Sequence, residues 1–193
     1  MNKRKIIGTI IGIAIWCFCL IFFTYAYYTW KSENTLINAG ITDNAVNVVL
    51  DNDGDVNVSG IGPILNLDDG VKAGFMANNK GSQPRNIYID LQINSIDEEL
   101  LTDSFKYAVV RSTVSSNEVE DIDKDSITYD YENPIIEGDF EDFGVSTVNL
   151  GIDSVNGGIA GFYKVVFYID GSIKNDSDMM EKAMDATLII RDE

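Results

Sequence analysis

Histidine is absent from the 193-residue chain. This absence excludes Ser-His-Asp and Cys-His nucleophilic sites, the HExxH zinc motif and every metal site with a histidine ligand. Positive charge is also scarce, because fourteen Lys and Arg residues face thirty-one Asp and Glu residues and give a net charge of −17. A surface this negative repels a phosphate backbone, so nucleic acid is not expected as a partner.

Cysteine and proline are nearly missing as well. The only cysteines, Cys17 and Cys19, lie inside an N-terminal apolar stretch, so the rest of the chain contains no cysteine and must be held together by packing. The three prolines, Pro63, Pro84 and Pro134, all lie between predicted strands, where they remove no ladder hydrogen bond.

The N-terminus has the pattern of an export signal. Lys3, Arg4 and Lys5 precede twenty-five uncharged residues, Ile6 to Trp30. As a hydrophobic helix this stretch would be long enough to cross a bilayer, with the basic cluster inside and the remaining chain outside the cell. The small residues Thr24 and Ala26 fit signal-peptidase cleavage before Tyr27, whereas the length of the stretch fits a retained anchor. Residues 1–26 are therefore predicted to be a signal peptide or a membrane anchor.

The remaining residues read as short strands separated by turns, with no long helical pattern. This spacing predicts an all-β fold, an antiparallel β-sandwich of jelly-roll type, over residues 41–193. The clearest strand has Ile87, Ile89, Leu91 and Ile93 on one face. Helical turns are expected at 97–101, capped by Asp97, and at 176–183. The predicted strands are 45–50 and 55–58, joined as a hairpin through an Asn-Asp-Gly turn, and 86–94, 105–110, 126–131, 145–150, 162–169 and 186–190.

Three stretches carry a family resemblance. The first runs from Ala26 to Gly40, with Ala-aromatic-aromatic, a short polar run and Asn-Thr-x-x-x-Ala-Gly. The second is Asn-Leu-Asp-Asp-Gly at 66–70, followed by Phe75, Asn79 and Gly-Ser at 81–82. The third is Phe-Tyr-Ile-Asp-Gly at 167–171, before an Asn/Asp/Ser loop and a last strand. In this order they resemble the TasA/camelysin family of exported Gram-positive surface and biofilm-matrix proteins.

The resemblance implies a jelly-roll ectodomain, removal of the leader by a dedicated signal peptidase and self-association into fibres on the cell surface. Residues 27–40 would then be an extended segment that completes the sheet of the next subunit by β-strand addition. The alternative is that this segment is an ordinary first strand or a tether, which would leave the protein monomeric. The residues assigned to assembly are Tyr28, Trp30, Asn34, Thr35, Leu36, Ile37, Ala39 and Gly40.

Two acidic clusters suggest calcium, although neither has the EF-hand register. The first resembles the start of a calcium loop, and a hairpin turn explains the same residues. The second lies in a denser acidic loop, which is either solvated or bridged by a cation. The candidate calcium ligands are Asp51, Asp53 and Asp55 in the first cluster and Glu120, Asp121, Asp123 and Asp125 in the second.

The sequence therefore predicts a structural protein of the cell surface or extracellular matrix, with no catalytic residues and no cofactor other than a possible Ca²⁺. The alternative is a membrane-tethered β-sandwich that binds a ligand or calcium. A hydrolase using paired carboxylates is a third reading, and no motif singles out such a pair. The metalloprotease label that some camelysin-like proteins carry is not transferred, because zinc would have carboxylate ligands alone.

Overall fold

Ten β-strands account for most of the residues that the computed structural model describes, which are 46–172 and 179–193. No α-helix occurs among those residues, and the non-strand elements are short 3₁₀ turns. The strands are β1 (Asn47–Leu50), β2 (Asp55–Ser59), β3 (Pro63–Ile64), β4 (Val71–Asn79), β5 (Arg85–Ile96), β6 (Phe105–Ser115), β7 (Ile136–Asp139), β8 (Thr147–Val155), β9 (Ile159–Asp170) and β10 (Ala183–Asp192).

The strands form two sheets. The first has the order β1-β4-β9-β6-β7, with β3 added in parallel to the end of β9, and the second has the order β2-β10-β5-β8. All other pairings are antiparallel. The predicted all-β, antiparallel class is therefore confirmed, and the architecture is sandwich-like because one hydrophobic core contains side chains from both sheets.

The core lies between the sheets and is built by alternation along each strand. Ile87, Ile89, Leu91 and Ile93 of β5 are each at most 1% exposed, which confirms the face predicted from their spacing. Rows of alternate residues from the first sheet face them, for example Val165 and Phe167 of β9. At the β7 side, Phe140 stacks on Phe105 with ring centroids 4.5 Å apart.

The first sheet is buried on its outer face as well. Five apolar residues of β6 and β9 are at most 5% exposed yet lie outside the core between the sheets: Ala108, Val110, Ala160, Phe162 and Val166. They alternate with the core residues, so they belong to the opposite face. This explains the continuous apolar runs in these two strands, since a strand buried on both faces loses its alternation.

The loop between β6 and β7 supplies part of this cover. Its residues 126–131 were predicted to form a strand, and the prediction is wrong, because they make no strand pairing. Their alternation is nevertheless real, with Ile127, Tyr129 and Tyr131 partly buried and the residues between them exposed. Tyr131 lies against Lys72 of β4, with the ammonium 5.5 Å from the ring centroid. The segment therefore packs against a sheet face rather than an edge.

The predicted hairpin of β1 and β2 is also wrong. β1 pairs with β4 in the first sheet and β2 pairs with β10 in the second, so the turn between them carries the chain across the core. Three consecutive residues, Asn52, Asp53 and Gly54, have positive φ. A Cβ on Gly54 would lie 2.6 Å from the carbonyl oxygen of Leu188, so glycine is required there by both its conformation and its contact.

Several smaller predictions need correction. β4, β7 and β3 were not predicted, and Pro63 lies within β3 rather than between strands. The turn expected at 97–101 forms at Glu98–Leu100, but Asp97 does not cap it and instead accepts a hydrogen bond from the Ala183 amide at 2.9 Å. A helical turn was also expected at 176–183. The described part of this stretch, residues 179–183, contains no helix, and residue 183 begins β10.

The hydrophobic N-terminal helix predicted before Trp30 lies outside the described residues. Within the described ranges, no helix is both long enough and apolar enough to traverse a lipid bilayer.

Candidate functional site

The predicted assembly segment and cleavage site lie outside the described residues. This applies to Thr24, Ala26, Tyr27, Tyr28, Trp30, Asn34, Thr35, Leu36, Ile37, Ala39 and Gly40. The first described residue is Val46, which is 6% exposed and belongs to the core. Its amide donates a hydrogen bond to Asp192 Oδ2 at 3.1 Å. The residue that enters β1 is thus fixed to the end of β10 in the opposite sheet.

Each sheet ends in two edge strands, and these differ in length and charge. β1 and β7 close the first sheet with four residues each, whereas β2 closes the second with five. β8, at the other edge of the second sheet, has nine residues. Exposed carboxylates flank or belong to the three short edges: Asp51 after β1, Asp55 in β2, and Glu137 and Asp139 in β7. The short edges are therefore protected by their length and charge.

The β8 edge is interrupted by one irregularity. The pairing of β8 with β5 shifts between Gly151 and Asn149, which leaves Leu150 as an extra residue. Leu150 is 4% exposed, and its carbonyl accepts a hydrogen bond from the Tyr107 hydroxyl at 3.2 Å. A Cβ on Gly151 would lie 2.7 Å from Ile136 Cδ1, so glycine allows β7 to pack closely against β8. The extra residue interrupts the pairing of β8 with β5 and divides β8 into two halves.

The only charged residue of β8 turns inward and is paired. Asp153 Oδ2 lies 2.6 Å from Arg111 Nη1 of β6 and accepts a hydrogen bond from the Tyr163 hydroxyl of β9 at 2.8 Å. Burial, followed by the charge of Asp153, raises the pKa of Tyr163, so its hydroxyl remains a donor. The three side chains join the two sheets at one end of the core and leave no unpaired charge at the β8 edge.

The first predicted calcium cluster does not assemble. Asp51 Oδ2 lies 3.0 Å from Lys164 Nζ, and this ion pair crosses the position of Gly74, where a Cβ would lie 2.0 Å from that oxygen. Asp53, within the turn, and Asp55, at the start of β2, are exposed. Asp51 is therefore engaged by a lysine, and its role is to fix the corner between β1 and β2.

The second predicted cluster is an exposed part of the loop between β6 and β7. Asp123 caps a 3₁₀ turn by accepting a hydrogen bond from the Asp125 amide at 3.1 Å, and Glu120 and Asp121 are exposed. In the described ranges, no group of three or more His, Cys, Asp or Glu side chains is arranged to hold a metal ion. Calcium binding at either cluster stays a prediction.

A third acidic group, at the end of β9, is stabilised by neighbouring donors. Asp170 Oδ2 lies 2.6 Å from Lys106 Nζ, and Asp170 Oδ1 accepts hydrogen bonds from the amide and hydroxyl of Ser172. The Lys106 hydrogen bond, with those of Ser172, lowers the pKa of Asp170 from 3.8 to about 2. The contribution of Asp170 to stability is therefore present above its unfolded pKa and is lost as pH falls through its folded pKa.

Replacing this carboxylate should change the acid response of the protein. We expect Asp170→Asn to lower the free energy of unfolding at pH 7 by about 1 kcal/mol, since charge-assisted hydrogen bonds are lost. The difference from the wild type should shrink between pH 4 and pH 2, where the wild-type carboxylate becomes protonated. Urea unfolding at several pH values measures it, and a difference independent of pH would contradict the assignment.

The outer face of the second sheet carries a polar cluster. Asp90 of β5 is only 4% exposed although it points away from the core, because Arg191 of β10 covers it with Nε 2.5 Å from Oδ2. Asn149 of β8 donates a hydrogen bond to the other carboxylate oxygen at 2.7 Å. The guanidinium of Arg191 also lies over the Tyr88 ring at 5.2 Å. These contacts connect β8, β5 and β10.

A shallow cleft of about 350 Å³ lies where β4 and β6 end. Lys80, Ser116, Asn117, Glu120 and Gly158 line it. Ser116 is 7% exposed and donates a hydrogen bond to the buried Asn78 side chain at 2.6 Å. The cleft is polar and presents one cation and one carboxylate.

No sequence motif predicts a role for Arg111 or Asp153, and for Tyr163 the sequence favours packing over a place in a sugar-binding face. One signal was available, because Phe105, Tyr107 and Val109 set an inward alternation that places Arg111 on the same face. A guanidinium on a core face requires a buried partner. Which carboxylate provides this partner depends on sheet packing and could not be predicted from the spacing of residues.

In the comparisons with known proteins, no protein-family model matches the chain, and no curated protein matches it significantly.

Proposed function

We propose that the protein is an exported structural subunit of the cell surface or extracellular matrix, and that it assembles by β-strand addition in the manner of TasA/camelysin proteins. The observation that carries the proposal is an antiparallel two-sheet body with a nine-residue, nearly uncharged edge strand. An extended segment can add to such an edge through main-chain hydrogen bonds. Residues 27–40, which precede β1 in the sequence, are the segment proposed to do so.

The charged side chains of the described residues support a structural role. Asp51, Asp153 and Asp170 each pair with a cation from another strand. In each case the pair ties neighbouring elements together rather than presenting a free group to solvent.

We also assign the two-sheet body to the jelly-roll type, with signal peptidase acting before Tyr27 and the hydrophobic leader contacting the membrane during export. Signal peptidase, the membrane and a second copy of the chain are the proposed partners.

Deleting the segment tests this proposal directly. We expect a variant that joins residue 26 to residue 41 to be exported and folded but to form no polymers, because the donor strand is missing. Mass spectrometry of the wild-type protein recovered from the surface of an exporting host should find Tyr27 at its N-terminus. Electron microscopy and sedimentation of the same material measure polymer formation.

A matched control separates the strand from its charges. The double variant Lys31→Ala, Glu33→Ala keeps the segment and its zero net charge, so it should still form polymers. Polymers formed by the deletion variant, or a wild-type protein that remains monomeric after cleavage, would contradict the proposal.

A membrane-tethered binding module is the second candidate function. The polar cleft at Lys80, Ser116 and Glu120 favours it, since it could hold a small polar ligand. On that reading the leader is retained, and deletion of residues 27–40 leaves ligand affinity unchanged. The N-terminal residue found by mass spectrometry distinguishes the two functions.

A further inference from the structure

The four edges of the two sheets are not equally suited to receive a strand. Among the described residues, β8 is the only one of the four terminal strands β1, β7, β2 and β8 without an exposed carboxylate in it or directly beside it, and the two-residue β3 is too short to receive a strand. From Gly144 to Gly158 the sole charged residue is Asp153, which turns inward to Arg111. In a chain of net charge −17, this edge presents the least electrostatic repulsion to another copy.

Exposed apolar side chains lie on the same side of the molecule. Five large apolar residues are exposed among those described, and three of them belong to this region: Val145 before β8 is 68% exposed, Ile152 in β8 is 52% exposed and Ile135 before β7 is 39% exposed. The contact of Ile136 with Gly151 places the start of β7 beside β8. A strand added at this edge would cover apolar surface in addition to forming hydrogen bonds.

The proposed donor matches this edge in charge. Residues 27–40 contain one lysine, Lys31, and one glutamate, Glu33, so their net charge is zero. We infer that the β8 edge is the acceptor for residues 27–40 of a second copy of this chain. The inference rests on the proposed function and adds to it the surface at which assembly occurs.

The direction of the backbone groups shows which residues of β8 offer N–H groups at the open edge. The Ile93 amide of β5 bonds to Ser146 O, whereas Asn86 O of β5 accepts from the Glu193 amide on the β10 side. Successive residues of a strand point their amides to opposite sides, so Asn86 and Tyr88 face β10. Their partners on β8, Ser154 and Ile152, then direct their own N–H groups away from β5, toward the open edge. By the same alternation, Thr147 and Asn149 face the open edge in the half before Leu150, so both halves offer N–H groups. The half after Leu150 also carries the exposed Ile152, and it is the stretch assigned to docking.

A proline in this half blocks the edge without removing a bond to β5. We expect Ser154→Pro, in the full chain exported from a bacterial host, to fold and to lose polymer formation. Ser154→Ala keeps the N–H group and should form polymers as the wild type does. Ile152→Lys is the second variant, since it adds a charge at the same edge without a backbone restriction, and it should lose polymers too. Circular dichroism and thermal unfolding verify that each variant folds.

Mixing two defective variants identifies donor and acceptor. Ser154→Pro retains its donor segment, and the variant lacking residues 27–40 retains its β8 edge. Each alone should remain monomeric, and their mixture should give one-to-one dimers by sedimentation, because one donor meets one acceptor.

The outcomes separate this inference from the proposed function. If the wild type and both folded β8 variants all form polymers, the acceptor lies elsewhere and the inference is wrong while the proposed function stands. If the wild type forms none, the proposed function fails. If the variant lacking residues 27–40 polymerises and Ser154→Pro abolishes this, β8 pairs with β8 of another copy and the assigned donor is wrong.

Discussion

Removing residues 183–193 should prevent the protein from folding. These residues form β10, which lies between β2 and β5 in the second sheet. Without it, β2 has no partner, and the buried Met184 and Leu188 are missing from the core. Asp90 of β5 would also lose its ion pair with Arg191. Far-ultraviolet circular dichroism and proteolysis measure the loss of folded protein.

A shorter truncation is the matched control. Removing Glu193 alone deletes its backbone hydrogen bond to Asn86 O and the acceptor of the Tyr88 hydroxyl, while β10 keeps its pairing. We expect this variant to fold and to lose about 1 kcal/mol of stability. Cooperative unfolding of the variant lacking residues 183–193 would show that the second sheet forms without one of its two inner strands, contrary to the observed order.

The sequence predicted the parts of the fold that depend on local alternation. Ile87 to Ile93 alternate cleanly because one face of β5 packs on the core and the other carries polar side chains. β4 gave no such signal, since its buried residues include Gly74 in addition to Asn78 and Asn79. Small and amide side chains fit a central strand only because the neighbouring strands and loop satisfy them, as when Asn79 donates to Gln83 O and Val155 O.

The errors arise where the same local pattern serves two structures. The Asn-Asp-Gly turn at 52–54 is typical of a hairpin, and here it joins strands of different sheets. Residues 126–131 alternate like a strand because Tyr129 and Tyr131 pack inward, yet they form no strand pairing. An alternating pattern indicates which side chains are buried. It does not indicate which strand, if any, the backbone N–H and C=O groups form hydrogen bonds with. The β8 acceptor edge likewise depends on strand order, which no local spacing reveals.

Replacing Asp153 should destabilise the protein more than replacing any exposed carboxylate. Its side chain is 17% exposed, pairs with Arg111 at 2.6 Å and accepts the Tyr163 hydroxyl. Asp153→Asn leaves the guanidinium without a counter-charge beside a core in which Tyr163 stacks on Phe75 at 4.5 Å. We expect a loss of about 3 kcal/mol in the free energy of unfolding, which is close to that of other broken buried pairs. Urea unfolding at pH 7 measures this loss.

The sign of the effect identifies its cause. Asp142→Asn removes one exposed carboxylate that forms no ion pair within the described part of the chain, so it should change stability by less than about 0.5 kcal/mol, with slight stabilisation from reduced repulsion. If general repulsion dominated, Asp153→Asn would also stabilise the protein. A double-mutant cycle with Arg111→Met should show coupling of about 1 kcal/mol or more, because the two side chains act on one contact. Equal effects of Asp153→Asn and Asp142→Asn would mean that the pair does not join the sheets.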